Sequence, residues 1–236
     1  MANKKWKFRH ELKFIISYRE KDIIEQRLKE IASIDSHAQN GQYLIRSLYF
    51  DDIWHSAYEE KMAGTATRKK YRIRIYNFSD DYICLECKHK QANYIYKTSL
   101  RLTREETDRI LDGDYSFLLE KDNELANEFY LECMTNGLRP EVIVDYDRIP
   151  YVYDAGTVRI TFDMGVRAGF MDYNIFDPNI PVYETMSPDE LIMEVKYTEF
   201  LPDIFRTIIP PENAIYTAAS KFVMCDDIKR EMYQLS

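Results

Sequence analysis

The sequence predicts an α+β fold: an antiparallel eight-stranded β-barrel with a charged interior and helices around it. Three observations carry this reading. Eight strand-like runs, at roughly 8–16, 43–51, 69–77, 82–90, 94–102, 141–148, 157–163 and 191–197, occur within about 190 residues and are joined mostly by short turns. Along most of these runs charged and apolar residues alternate. Helix-start signals punctuate the chain between them.

Taken in order, the first run ends at Ser17-Tyr-Arg-Glu20, a capping-box pattern that opens an amphipathic helix carrying Ile23, Ile24, Leu28 and Ile31. The run 43–51 holds Tyr43, Leu44, Ile45, Leu48, Tyr49 and Phe50, residue types that favour strands. The runs 69–77, 82–90 and 94–102 follow as alternating segments. Thr103-Arg-Glu-Glu106 is a second capping box, and its helix stops near Gly113. Residues 115–136 carry Phe117, Leu118, Leu125, Phe129 and Met134, which predicts a helix closed by Gly137. The last three strands come next, and residues 199–207 and 217–233 read as helices. No repeat or linker divides the chain, so it reads as one domain over 1–236.

Composition removes several classes of function. There are 32 Lys+Arg against 40 Asp+Glu, a formal charge of −8. With 45% hydrophobic and 31% charged residues the chain is not a disordered one. The longest apolar runs, such as Tyr82–Leu85, are four residues long, against the roughly 20 that a spanning helix needs. The basic stretch Met1–His10 has no apolar segment behind it and does not read as a secretory signal. Four cysteines do not make a disulfide framework in a chain of this length, which reads as cytoplasmic. The seven glycines form neither of the two commonest nucleotide-binding loops.

The charges on the strands are the informative feature. Side chains alternate faces along a strand, so residues i and i+2 share one. Arg72 and Arg74 then oppose Ile73 and Ile75. Glu86, Lys88 and Lys90 oppose Leu85 and Cys87. Glu11 and Lys13 oppose Leu12, and Glu194 and Lys196 oppose Met193 and Val195. Arg159 and Asp163 oppose Ile160 and Phe162, and Lys97, Ser99 and Arg101 repeat the arrangement. One such strand would be read as the solvated face of a half-buried sheet. Six of them, with helices to cover the apolar faces, predict charged faces turned toward one another. Like cations repel and are costly to desolvate, so an anion must offset them. A narrow chain of phosphates fits, since Arg forks match phosphate oxygens and Lys adds point charges. An acidic protein with a local basic interior is not a nucleic-acid binder, which needs an exposed basic surface. Glutamates beside the lysines suggest a divalent cation of the Mg²⁺ or Mn²⁺ type, held by carboxylate and phosphate oxygens.

Eight segments occur in an order that resembles the VTC domain, the polyphosphate polymerase family of the triphosphate tunnel metalloenzymes. They are Arg9-His-Glu-Leu-Lys13, Arg46-Ser-Leu-Tyr-Phe-Asp-Asp52, Tyr71-Arg-Ile-Arg-Ile-Tyr76, Leu85-Glu-Cys-Lys88, Arg139-Pro-Glu with Tyr146-Asp-Arg148, Val158-Arg-Ile-Thr-Phe-Asp163, Met193-Glu-Val-Lys-Tyr197 and Ser220-Lys-Phe222. The resemblance implies a basic tunnel and metal-dependent transfer of the terminal phosphate of ATP to inorganic polyphosphate, with Mn²⁺ or Mg²⁺ as cofactor. It implies Arg72, Arg74, Lys88, Arg159, Lys196 and Lys221 as catalytic contacts. Lys13, Lys97 and Arg148 would bind substrate, and Glu194 the metal. Glu86, Glu11 and Asp163 are placed as further metal candidates by the alternation and by analogy with the wider superfamily. The ligands implied are ATP and polyphosphate, with no nucleic acid and no membrane segment in this chain.

A triphosphatase on the same framework, a non-catalytic polyphosphate-binding module and an ATP cyclase are the rival readings. Other signals are set aside. Cys84 and Cys87 have CxxC spacing, but on a strand they point to opposite faces and cannot pinch a metal. The four histidines show neither HxxxH nor HxH spacing and read as structural or solvated. Tyr49, Phe50 and Tyr76 read as wall packing, and Arg68-Lys-Lys70 as an extension of the Arg72/Arg74 face.

Overall fold

A computed structural model describes residues 10–38, 40–92, 94–170, 172–198, 200–209, 215–217 and 219–235. The first two positions of the strand expected at 8–16, with Arg9 of its motif, lie outside the described residues. So do the stretch preceding His10 and position 199 of the helix expected at 199–207.

In chain order the elements are β1 (His10–Ser17), α1 (Tyr18–Lys29), β2 (Ser33–Ile34), β3 (Tyr43–Asp51), α2 (Ser56–Met62), β4 (Thr67–Tyr76), β5 (Ser79–Gln91) and β6 (Tyr94–Leu102). There follow α3 (Arg104–Leu111), α4 (Glu124–Thr135), β7 (Arg139–Tyr153), β8 (Val158–Gly169), β9 (Val182–Glu184), β10 (Glu190–Tyr197), α5 (Asp203–Ile208), β11 (Ile215–Tyr216) and α6 (Lys221–Leu235). Both capping boxes form: the Ser17 and Thr103 hydroxyls accept from the backbone N–H of Glu20 and Glu106, whose carboxylates accept from the cap N–H groups in return. The helix expected over 115–136 is two elements. A 3₁₀ turn over Ser116–Glu120 ends at Lys121, and α4 starts afresh because the Asn123 side chain accepts from the backbone N–H of Leu125 and Ala126.

The expected strand count and barrel closure are corrected. Among the described residues eleven strands form, and the hydrogen-bonded path β11-β1-β10-β8-β7-β3-β4-β5-β6, with β2 on β7 and β9 on β8, has two ends and does not close. Among the described residues the terminal strand β11 pairs with β1 at Phe14 and Ile15. A strand of two residues leaves too short an edge to carry a closing ladder.

The chain forms two compact units, neither continuous in sequence. The first comprises residues up to Leu44, Tyr146–Val166 and Glu184–Ala219; the second comprises Ile45–Asp145, Arg167–Tyr183 and the chain from Ser220. Each has its own core. In the first, Phe14, Ile16, Ile160, Phe162, Met193 and Val195 pack with Ile24 and Leu28 of α1 and with Phe205 and Ile208 of α5. In the second, Ile73, Ile75, Leu85 and Cys87 pack with Ile110 of α3 and with Leu125, Ala126 and Phe129 of α4. Each of these strand residues is the apolar partner in the alternation, so the charged partners lie on the opposite face of each strand. Burial of these side chains contributes roughly 1.5–3 kcal/mol apiece.

Candidate functional site

The candidate residues fall into two clusters, one in each unit. In the second unit the register pairs Arg72 with Glu86, Glu86 with Ser99, and Lys88 with both Lys70 and Lys97. Glu86 is buried at the middle of this face. Its Oε2 accepts from Arg72 Nε at 2.7 Å and lies 3.9 Å from Arg74, while its Oε1 accepts from Lys97. Burial alone would raise the Glu86 carboxyl, but Arg72, Arg74 and Lys97 reverse this and hold it far below the usual carboxylate range. Arg74 Nε donates to Ser47 Oγ at 3.2 Å, and Arg72 donates to the Tyr49 hydroxyl at 2.8 Å. Burial would raise the Tyr49 phenol as well; the charges of Arg72, Arg74 and Lys88 outweigh it and lower the phenol. Lys70 donates to Ser220 Oγ at 3.2 Å and sits over the Phe222 ring, beside the buried Lys221 that opens α6. Lysines directly opposite one another across three strands repel. Arg72 and Arg74 share this face, with the Glu86 carboxylate among the described residues at its centre.

In the first unit Lys13 pairs with Glu194 across β1 and β10, and Glu11 pairs with Lys196. Lys196 donates to Glu194 at 2.6 Å, and Lys13 lies 3.3 Å from Glu194 and 3.5 Å from Glu11. Lys13 also donates to the carbonyl of Ala219. Arg148 holds the buried Asp163 in a bidentate pair at 2.6 and 2.7 Å and reaches Glu194 at 3.7 Å. Burial would lower the Arg148 guanidinium, but Asp163 more than offsets this and raises it well above its ordinary value. Arg159 lies toward the rim, ion-paired with Asp35 at 2.8 Å and donating to the Tyr43 hydroxyl at 2.9 Å.

Two buried polar atoms in this cluster have no hydrogen-bond partner among the described residues: Arg159 Nε and Thr161 Oγ1. A buried donor or hydroxyl left unpaired is costly, so each points to a ligand. Thr161 is the cross-strand neighbour of Glu194. Glu194, Glu11 and this hydroxyl are oxygen donors, the ligand type that Mg²⁺ and Mn²⁺ prefer. Cations lie against both oxygens of Glu86 and of Glu194 alike, so a metal would have to displace them at either carboxylate.

Lys70 falls where the Arg68-Lys-Lys70 extension of the Arg72/Arg74 face was expected, whereas Ser47, Tyr49 and Thr161 were not among the expected site residues. The alternation could have found them. Ser47 and Tyr49 share a face of β3, Lys70 shares the face of Arg72, and Thr161 lies between Arg159 and Asp163.

The VTC domain matches residues 8–227. No curated protein sequence matches the chain. The structure is similar to HpAC1 from Hippeastrum, assigned as an adenylyl cyclase and described as having a dominant triphosphatase activity. The two share 14% identity over 94% of this chain and 96% of that one, with a TM-score of 0.54. It is also similar, at a TM-score of 0.49 and 13% identity, to a protein from Bacillus halodurans assigned as an adenylate cyclase, over 86% of this chain and 92% of that one. At 14% identity the likeness to HpAC1 is one of fold alone. Nearly the whole chain carries the family's pattern, and the protein belongs to the VTC domain family.

Proposed function

We propose that the protein is a metal-dependent polyphosphate polymerase that transfers the terminal phosphate of ATP to an inorganic polyphosphate chain. The observation that carries this reading is the row Lys70, Lys88 and Lys97, set beside Arg72 and Arg74 around a single carboxylate. Such a surface suits an extended, multiply charged anion. The unpaired Nε of Arg159 gives the first unit a donor for phosphate oxygen as well.

The chemistry asks little of a general base. A terminal phosphate oxygen, already ionised at neutral pH, attacks the γ-phosphorus. The new P–O bond forms as the β–γ bridging bond breaks, and ADP leaves with the electron pair. Catalysis is then positioning and charge neutralisation. Arg72, Arg74 and Lys88 hold phosphate oxygens with Lys97 at the exposed edge, while Lys221 adds charge from the start of α6. Glu194, with Glu11 and Thr161, would hold a divalent cation, which when bound supplies further neutralisation of phosphate oxygens. Lys13 and Lys196 fix the two glutamates and balance their charge, and Arg148 on Asp163 buttresses Glu194.

One observation favours phosphate over water as the attacking group. The Glu86 carboxyl is held far below its usual range and gripped on both oxygens, so it is a poor base for deprotonating water. The test is the fate of the γ-phosphate when purified protein meets ATP and Mn²⁺. Recovery in polymer with little orthophosphate, and loss of about 100–1,000-fold in kcat on Arg72→Ala, is expected. Orthophosphate without polymer would overturn the polymerase reading in favour of a triphosphatase.

A further inference from the structure

The helix-covered face of β5 carries a second cluster, which the phosphate chemistry does not use. Strand alternation puts Cys87 and His89 together on this face, opposite Glu86 and Lys88. Helix α4, fixed by its Asn123 cap, lays Glu128 over them. One ligand atom each from Cys87, His89 and Glu128 lies within 4.8 Å of the others. We propose that Cys87, His89 and Glu128 form a zinc site that ties β5 to α4.

The donor set selects the metal. Thiolate, imidazole and carboxylate together are a zinc combination, whereas Mg²⁺ and Mn²⁺ avoid thiolate. The two faces of one strand therefore sort their cations by chemistry: oxygen and nitrogen charges on the Glu86 side, sulfur and imidazole on the other. Ligand atoms around a tetrahedral zinc sit closer together than 4.8 Å, so the side chains must draw in by about 1 Å, which rotamer adjustment supplies.

The surroundings fit this use. His89 Nε2 lies 3.2 Å from Thr98 Oγ1, and its ring stacks on Tyr96 with 4.4 Å between centroids. With Nε2–H donating to Thr98, the other nitrogen presents its lone pair. A metal-ligating histidine is ordinarily oriented in this way. On Glu128 both hydrogen bonds, from Lys69 at 2.5 Å and from Tyr71 at 2.7 Å, go to Oε1. Lys69 is the resident cation, and its side chain is 44% exposed, so it can swing into solvent when a metal takes its place. Binding exchanges the Cys87 thiol proton, released to solvent, for the metal–sulfur bond. Glu128 and Lys69 mark the accessible side by which an ion enters, since Cys87 itself is fully buried.

The experiment uses the full chain, freed of metal by chelator and titrated with Zn²⁺, and separately with Co²⁺ as a spectroscopic probe. One equivalent of Zn²⁺ should bind and raise the melting temperature. Co²⁺ should give a near-ultraviolet thiolate charge-transfer band that survives Cys84→Ser and disappears in Cys87→Ser. Thr98→Val should weaken Zn²⁺ binding by about 10–100-fold. Lys69→Met, a surface change, should strengthen it by removing the competitor for Glu128. Absence of the thiolate band in the unsubstituted protein at one equivalent of Co²⁺ would overturn the proposal whether or not Cys87→Ser folds. So would weaker zinc binding in Lys69→Met.

Discussion

Two ion pairs of similar geometry do different work in this protein. Arg46 is buried and grips Asp145 through Nε and Nη2 at 2.9 and 2.7 Å, and it donates to the Asp177 carbonyl at 2.5 Å. Its alternation places it opposite Ser47 and Tyr49, away from the charged face, so its role is architectural. Removing one partner of such a pair strands the other, and Arg46→Ala is expected to cost about 3–5 kcal/mol in denaturant unfolding. Glu86 is the counterpart in the proposed site, and its signature is pH. Its folded carboxyl lies below the ordinary value of 4.5, so its contribution to stability is complete above that value and is lost as the pH falls below it. The melting temperature of the unsubstituted protein should therefore drop on acidification below about pH 4.5. That of Glu86→Gln should start lower at neutral pH, with its cations uncompensated, and change less over the same range. Parallel curves would remove Glu86 from the charged network. The sequence made Arg72, Arg74 and Glu86 legible because their charges alternate with isoleucine and leucine. Tyr49 and Thr161 were less so, since an aromatic or a threonine on a strand is normally explained by packing or strand preference. Only the structure shows that one meets Arg72 and that the other is left unpaired beside Glu194.

At the scale of elements, local chemistry was readable and long-range pairing was not. The Ser17 and Thr103 boxes form as their spacing implies, because a capping box is closed within four residues. Ser17→Ala, which leaves the first N–H groups of α1 without their acceptor, is expected to lower stability by about 1 kcal/mol as a shift in denaturant midpoint without a change in slope. An unchanged midpoint would mean that core packing of Ile24 and Leu28 alone holds α1. The break between the 3₁₀ turn and α4 was missed because its apolar residues recur at helical spacing across it. The Asn123 side chain, which satisfies two backbone donors, outweighs that periodicity. The short strands β2, β9 and β11 carry two or three residues each and leave almost no pattern. The pairing of β1 with β10, which brings Glu11 and Lys13 to Lys196 and Glu194, joins residues far apart in sequence and has no local signature. The alternation that puts Glu86 and Lys88 on one face of β5 puts Cys87 and His89 together on the other, a signal carried by residues two apart and not by the CxxC spacing.

For the whole molecule, the net charge of −8 and the concentration of cations on the charged faces set the terms of recognition. The acidic net charge disfavours loose association with long polyanions such as duplex DNA, while the second unit gathers Lys70, Arg72, Arg74, Lys88 and Lys97 on one face around Glu86. Attraction of this kind weakens with added salt, and less so where the charges are buried. The central claim is that the face of the second unit around Glu86 holds a chain of phosphates. Calorimetric titration of tripolyphosphate, without nucleotide, tests it most directly because it separates binding from turnover. The expected result is saturable binding that falls by tenfold or more in Lys88→Ala and in Arg72→Ala, while Lys121→Ala, a surface lysine paired with Glu106, leaves it unchanged. Equal affinity in all four proteins would contradict the assignment of this face to phosphate.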